Sequence, residues 1–235
     1  MNIGDIITLN IDEENVLEAI RKAQCHYFVD NLRKRHIIVA FDSKVRGYLG
    51  EIAIKKWLSD GGINRFYSNK MADDMYCDID LEIISALGHR YTCEIKTSKI
   101  PDYTHNSMQR VINDCDIKII KRNPDNTIYI DRDIYIQIYY GLLTRAHDNF
   151  LISRYNESKI TINSPADEIY RTYEYWRYIN NIYFVAWEER NNITRRLQNM
   201  RIDKRTYSIG FRTFYTCKLR DSIAPIVLIN FLNNN

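Results

Sequence analysis

Asp80, Glu94 and Lys96 are the residues of this sequence whose types and spacing could do chemistry together. From Cys77 to Thr97 hydropathy alternates with period two. Ile79, Leu81 and Ile83 alternate with Asp78, Asp80 and Glu82; beyond Ala86-Leu87-Gly88-His89, Tyr91, Cys93 and Ile95 alternate with Thr92, Glu94 and Lys96. This predicts a β-hairpin with one apolar and one charged face, because successive strand residues point to opposite sides. A turn near Leu87 and Gly88 sets Asp80 beside Glu94 and Asp78 beside Lys96, with opposed Cβ atoms ~5 Å apart. Two carboxylates that close repel unless a cation lies between them, and hard oxygen donors on a half-open face suit Mg²⁺. Lys96, one pleat from Glu94, then reaches a metal-bound water or phosphate oxygen. Such a set could attack a phosphodiester, the metal lowering the water pKa and the lysine orienting the nucleophile or offsetting developing charge. Asp78 and Asp80 remain alternative ligands on spacing; Asp80 is preferred because it falls opposite Glu94 and Leu81-Glu82-Ile83 continues the strand after it.

The hairpin needs elements to hold it. Val16, Ile20, Ala23, Tyr27 and Leu32 recur at helical spacing and predict a helix from Asp12 to about Arg35, with Asp12, Glu13 and Glu14 at its positive end. After a short apolar run, Ile37 to Phe41, a second helix is expected from about Lys44 to Leu58, stopped by Gly61-Gly62 and carrying Glu51. Strands are predicted at Ile128-Tyr129-Ile130, Asp133 to Tyr140 and Tyr183 to Trp187. Ser164-Pro165-Ala166-Asp167 is a helix start, with Ser164 as cap and the helix running to about Ile179. Arg122 to Asn126 is a turn and a candidate seam, and no internal repeat is present.

Gly47-Tyr48-Leu49-Gly50-Glu51-Ile52-Ala53, then Asp80 within Asp78-Ile79-Asp80-Leu81-Glu82-Ile83, then Glu94-Ile95-Lys96-Thr97, resembles the PD-(D/E)XK nuclease superfamily of restriction endonucleases and many repair and resolvase enzymes. The match covers about Lys44 to Thr97; the proline of the family name is absent, Cys77 and Ile79 preceding the two aspartates. The resemblance implies an α/β fold whose mixed sheet is flanked by helices. It implies that Asp80, Glu94 and the main-chain carbonyl of Ile95 ligate Mg²⁺, with Mn²⁺ as a substitute. Lys96 becomes the catalytic lysine, and Glu51 completes or adjusts the metal site. The implied activity is Mg²⁺-dependent cleavage of double-stranded DNA, of restriction type, by a homodimer. A structure-selective DNA repair or junction nuclease, or a non-catalytic nucleic-acid-binding or assembly protein whose hairpin acids are structural, are the alternatives.

Composition narrows the classes. With 235 residues, 45% hydrophobic and 27% charged, the chain suits one globular domain, a core at about 37–140 and a C-terminal part at about 141–235. Eight Gly and four Pro leave little for collagen-like or broadly disordered chains. No apolar run spans a bilayer and no signal-peptide layout opens the chain, so a cytoplasmic protein is expected. Five dispersed cysteines lack a C-x-x-C pair, and five histidines lack ligand spacing. The net charge of +3 is polarised: nine Lys/Arg against Asp203 give +8 between Arg190 and Arg220, leaving −5 elsewhere. Arg195, Arg196, Lys204 and Arg205 are therefore the expected phosphate contacts. The stretch Tyr170 to Tyr178 is read as a helix face packed on the sheet in preference to a base-stacking surface.

Overall fold

A computed structural model describes residues 1–25, 35–67, 80–120, 130–198, 203–207 and 212–235, with backbone alone at 120, 197, 203–207 and 212–215. The elements in chain order are β1 (Ile7–Thr8), α1 (Glu13–Cys25), α2 (Ile37–Asp60), β2 (Phe66–Tyr67), β3 (Leu81–Ile84), β4 (Arg90–Ile100), α3 (Met108–Asp114) and β5 (Asp116–Ile120). Then come β6 (Ile134–Leu143), α4 (Thr144–Glu157), α5 (Ala166–Thr172), β7 (Ile182–Glu189), α6 (Arg190–Gln198), β8 (Asp203–Tyr207), β9 (Arg212–Lys218) and α7 (Ile226–Asn234). The fold is α/β. Its main sheet has six strands in the order β1-β7-β6-β4-β3-β2, and a second sheet has the order β5-β9-β8. The main sheet is mixed: β4 pairs antiparallel with β3 and parallel with β6.

The larger core lies on one face of that sheet. Val16, Ile20 and Ala23 of α1 are buried as their spacing predicts, Ala19 joins them, and Tyr27 and Leu32 of the expected stripe lie outside the described residues; the buried stripe meets α2 and the Leu81, Ile83, Cys93, Ile95, Ile134, Ile136 and Ile138 side of the strands. Tyr135, Tyr139, Val185 and Ala186 point the other way, onto Val111, Ile112, Ile117 and Cys217. The second sheet and α3 therefore cover part of the opposite face. Strand β7, from the C-terminal part, sits between β1 and β6. A boundary near 140 thus falls inside β6 and separates strands of one sheet.

Helix α2 starts at Ile37, seven residues before the expected Lys44, and absorbs the apolar run. The cause is burial: Ile38, Val39, Phe41, Asp42, Val45, Arg46 and Leu49 all lie inside. Gly50 brings this helix onto β4. A Cβ there would stand 2.7 Å from the Thr97 methyl and 3.2 Å from Ile138 Cδ1, whereas one at Gly47 meets nothing within 4 Å. Thr97 is β-branched and stiff at χ1, so the overlap is relieved by moving the helix. Gly50→Ala is expected to cost about 2 kcal/mol from overpacking. Gly47→Ala is expected to stabilise by about 0.5–1 kcal/mol from helix propensity. Urea unfolding midpoints that moved in one direction for both variants would contradict this account of the helix contact.

The helix expected from Pro165 to about Ile179 runs from Ala166 to Thr172; Glu174 takes a left-handed φ of 53°, and Tyr175–Tyr178 form a 3₁₀ turn. Ser164 does not cap it, its hydroxyl accepting instead from Thr161 N–H. Tyr170, Tyr173, Tyr175 and Tyr178 are buried, in keeping with packing, while Trp176 is exposed. Cys93, Cys115 and Cys217 are buried free thiols and Cys25 is an exposed one. Cys77, Asp78, the Arg122–Asn126 turn and the strand residues Ile128 and Tyr129 lie outside the described residues. Among the described residues no helix is long and apolar enough to cross a membrane.

Candidate active site

The hairpin forms in the expected register. Leu81 pairs with Cys93 and Glu82 with Thr92, and Gly88 turns the chain at a φ of 89° that side chains avoid. Strand β3 begins at Leu81, so Asp80 stands one residue before it, alongside Glu94. Asp80 Oδ2 accepts the Ile95 N–H at 2.8 Å, which ties the start of β3 to β4. The N–H and C=O of one strand residue point the same way, so the Ile95 carbonyl is directed toward the Asp80 side as well.

Glu94 and Lys96 share the face opposite Ile95 and Thr97, beside Tyr135 and Gln137 of the parallel strand β6. Glu94 is 4% exposed. Lys96 Nζ is ion-paired with Glu94 Oε1 and its side chain is 25% exposed, enough to reach a ligand from solvent. Arg132 Nε lies 3.7 Å from Glu94 Oε2. Burial pushes the Glu94 carboxyl above its ordinary range; Lys96 opposes this, the Asp80 charge adds to it, and Arg132 opposes it. Asp80 and Glu94 therefore feel each other as like charges, the relation inferred from their spacing.

That donor chemistry fits a hard divalent cation: two carboxylates whose repulsion a cation relieves, and a carbonyl aimed to the same side. Asp80, Glu94 and the Ile95 carbonyl would hold it. Glu51 is not brought to them. Among the described residues no three His, Cys, Asp or Glu side chains converge closely enough to share an ion. The reason is the docking of α2, whose Gly50 packs on Ile95 and Thr97 and so on the face away from Glu94. Glu51 is buried there; burial raises the Tyr140 phenol against Arg46, and the charges of Asp42 and then Glu51 add to the rise.

Several neighbours carry no signal in the sequence. Asp133 Oδ2 accepts from Thr92 N–H at 2.8 Å and from its hydroxyl at 2.7 Å, clamping the start of β6 to β4. Gln137 Nε2 donates to the Lys96 carbonyl at 3.1 Å and to Ser98 Oγ at 3.3 Å. These contacts and Arg132 depend on a parallel pairing between residues 41 apart in sequence, which no local pattern encodes.

The basic segment divides. Arg195 is exposed on α6. Arg196 is not available as a phosphate contact: its guanidinium lies 3.0 Å from the fully buried Glu188 carboxylate and donates to the Asp221 carbonyl. A buried carboxylate needs a cation, and that requirement takes Arg196 inward. Lys204 and Arg205 belong to β8, and their side chains lie outside the described residues. Comparison with protein-family models, with curated proteins and with solved structures finds no match to this chain.

Proposed function

We propose that this protein is a Mg²⁺-dependent endonuclease that hydrolyses DNA phosphodiester bonds, of the sequence-specific restriction type and acting as a homodimer. The observation that carries the reading is the placement of Asp80 and Glu94 side by side, with Lys96 ion-paired to Glu94 and partly open to solvent. The bound metal supplies a water of lowered pKa and a Lewis acid for the scissile phosphate. Glu94 and Asp80 hold the site negative enough to retain a cation. Lys96, leaving Glu94 as a phosphate arrives, donates to a non-bridging oxygen or orients the attacking water.

Incubation of the purified protein with plasmid and Mg²⁺ tests this. Discrete fragments are expected. Cleavage confined to branched or flapped DNA would move the protein to the structure-selective class, and binding without cleavage would leave the hairpin acids as structure only. For the DNA surface, Arg195→Gln is expected to lower the slope of log affinity against log salt by about 0.9, the loss of one phosphate contact. Arg196→Gln should leave that slope unchanged but cost about 2 kcal/mol of stability, because Glu188 loses its cation. The reverse pattern, read from salt titrations and urea melts of both variants, would exchange the two roles.

A further inference from the structure

Both carboxylate oxygens of Glu94 face cations of the protein itself, Lys96 at Oε1 and Arg132 at Oε2. Arg132 is 7% exposed and is held by a built frame. Its Nη1 donates to the Asp131 carbonyl at 3.0 Å and lies 3.1 Å from Asp131 Oδ2. Asp131 Oδ1 accepts from the Tyr135 hydroxyl at 3.2 Å, and that hydroxyl accepts the Arg132 N–H at 3.3 Å. Arg190 Nε donates to the Arg132 carbonyl at 3.1 Å.

We propose that Arg132 is a positioning residue that serves as resident counter-cation to Glu94, so that a divalent ion reaches this carboxylate by exchange with the guanidinium. This rests on the metal-site reading of the same residues. A divalent ion placed beside Glu94 with Arg132 still 3.7 Å from it meets direct repulsion in a poorly solvated site. Asp131 makes the exchange feasible, since it keeps a carboxylate on the guanidinium when Glu94 is released and no buried cation is stranded. Arginine suits this task because one nitrogen of its fork stays 3.1 Å from Asp131 Oδ2 while its delocalised charge lies 3.7 Å from Glu94. The arrangement opposes the effect of burial on Glu94 and keeps its carboxylate in place before a metal arrives, at a cost in metal affinity.

The test is Mn²⁺ titration of the whole protein without nucleic acid, following free Mn²⁺ by electron paramagnetic resonance. Arg132→Met is expected to bind Mn²⁺ on the order of tenfold more tightly than the parent, through loss of the opposing charge. Arg132→Lys, which keeps the charge, should stay near the parent. Asp80→Asn should weaken Mn²⁺ binding in both backgrounds. Should R132M fail to fold, R132Q, whose amide still donates to Asp131, carries the same expectation. Mn²⁺ binding that depends on Asp80 but is unchanged or weakened in R132M or R132Q overturns the exchange role and leaves the metal site standing. Absence of Asp80-dependent Mn²⁺ binding in every protein overturns the metal site itself, and this proposal with it.

Discussion

Asp80→Asn and Lys96→Met should each reduce Mg²⁺-dependent DNA cleavage by on the order of 10³-fold while leaving the fold and DNA affinity near those of the parent. The two substitutions remove different things. Asn at this position keeps an oxygen able to accept the Ile95 N–H now bonded to Asp80 Oδ2, so the strand end is retained and only the charge is lost. Methionine keeps the length of the lysine and removes its ammonium; Glu94 retains Arg132 at 3.7 Å, so the buried carboxylate is not left without a cation. Neither side chain belongs to the apolar core. Initial rates on supercoiled plasmid over a range of Mg²⁺ separate the two roles. Excess metal should recover part of the rate in D80N, where a ligand charge is missing, and none in K96M. Undiminished cleavage by either variant removes that residue from the reaction.

The hairpin could be read in advance because a period of two is local: Leu81, Ile83, Cys93 and Ile95 mark the core face, and the register through Gly88 fixes Asp80 against Glu94. The strand around Asp133 to Tyr140 was legible for the same reason. What stayed hidden are charges whose partners come from distant elements. Asp42 and Arg46 look like an exposed helical pair but are buried, and the unbroken apolar run Ile37 to Phe41 carries no helical period to mark the first turns of α2. Arg196 looks like a surface cation because Glu188 reads as one more acid at a strand end; only the packing of α6 on β7 joins them. Arg132 lies far from Glu94 in sequence and meets it through the parallel β4–β6 pairing. The helix after Pro165 ends at Thr172, short of Ile179, because Glu174 turns left-handed, and nothing in Tyr170 to Tyr178 marks that turn in the sequence.

The largest loss of stability should come from Asp42→Ala, about 3–5 kcal/mol, the cost of removing one member of a buried charge cluster. Asp42 is wholly buried on α2 and gathers partners from its own helix and from three other elements. Arg46 Nε lies 2.9 Å away and Lys99 Nζ, from β4, 3.4 Å away. His147 Nε2 of α4 lies 3.5 Å away, and the Tyr178 hydroxyl from the 3₁₀ turn donates to the same oxygen. Tyr140 of β6 closes the cluster by donating to the Arg46 carbonyl at 2.6 Å. Burial acts to raise the Asp42 carboxyl, but Arg46 and Lys99, followed by His147, outweigh it and hold the group well below the ordinary aspartate value of 3.8. A carboxyl depressed on folding stabilises above its unfolded pKa, and that contribution is lost as pH falls from about 4 through the folded value. Asp42→Ala should therefore unfold at lower urea near pH 7, and the gap to the parent should narrow below pH 4. The cost arises mainly from stranding Arg46, because Lys99 also has Asp148 as an ion-pair partner. Asp42→Ala combined with Arg46→Met should then recover part of the loss, giving a coupling of at least about 1 kcal/mol in a double-mutant cycle. Additive losses at constant pH sensitivity would mean that the cluster acts by packing alone, and that the charges on α2 do not hold it to β4 and α4.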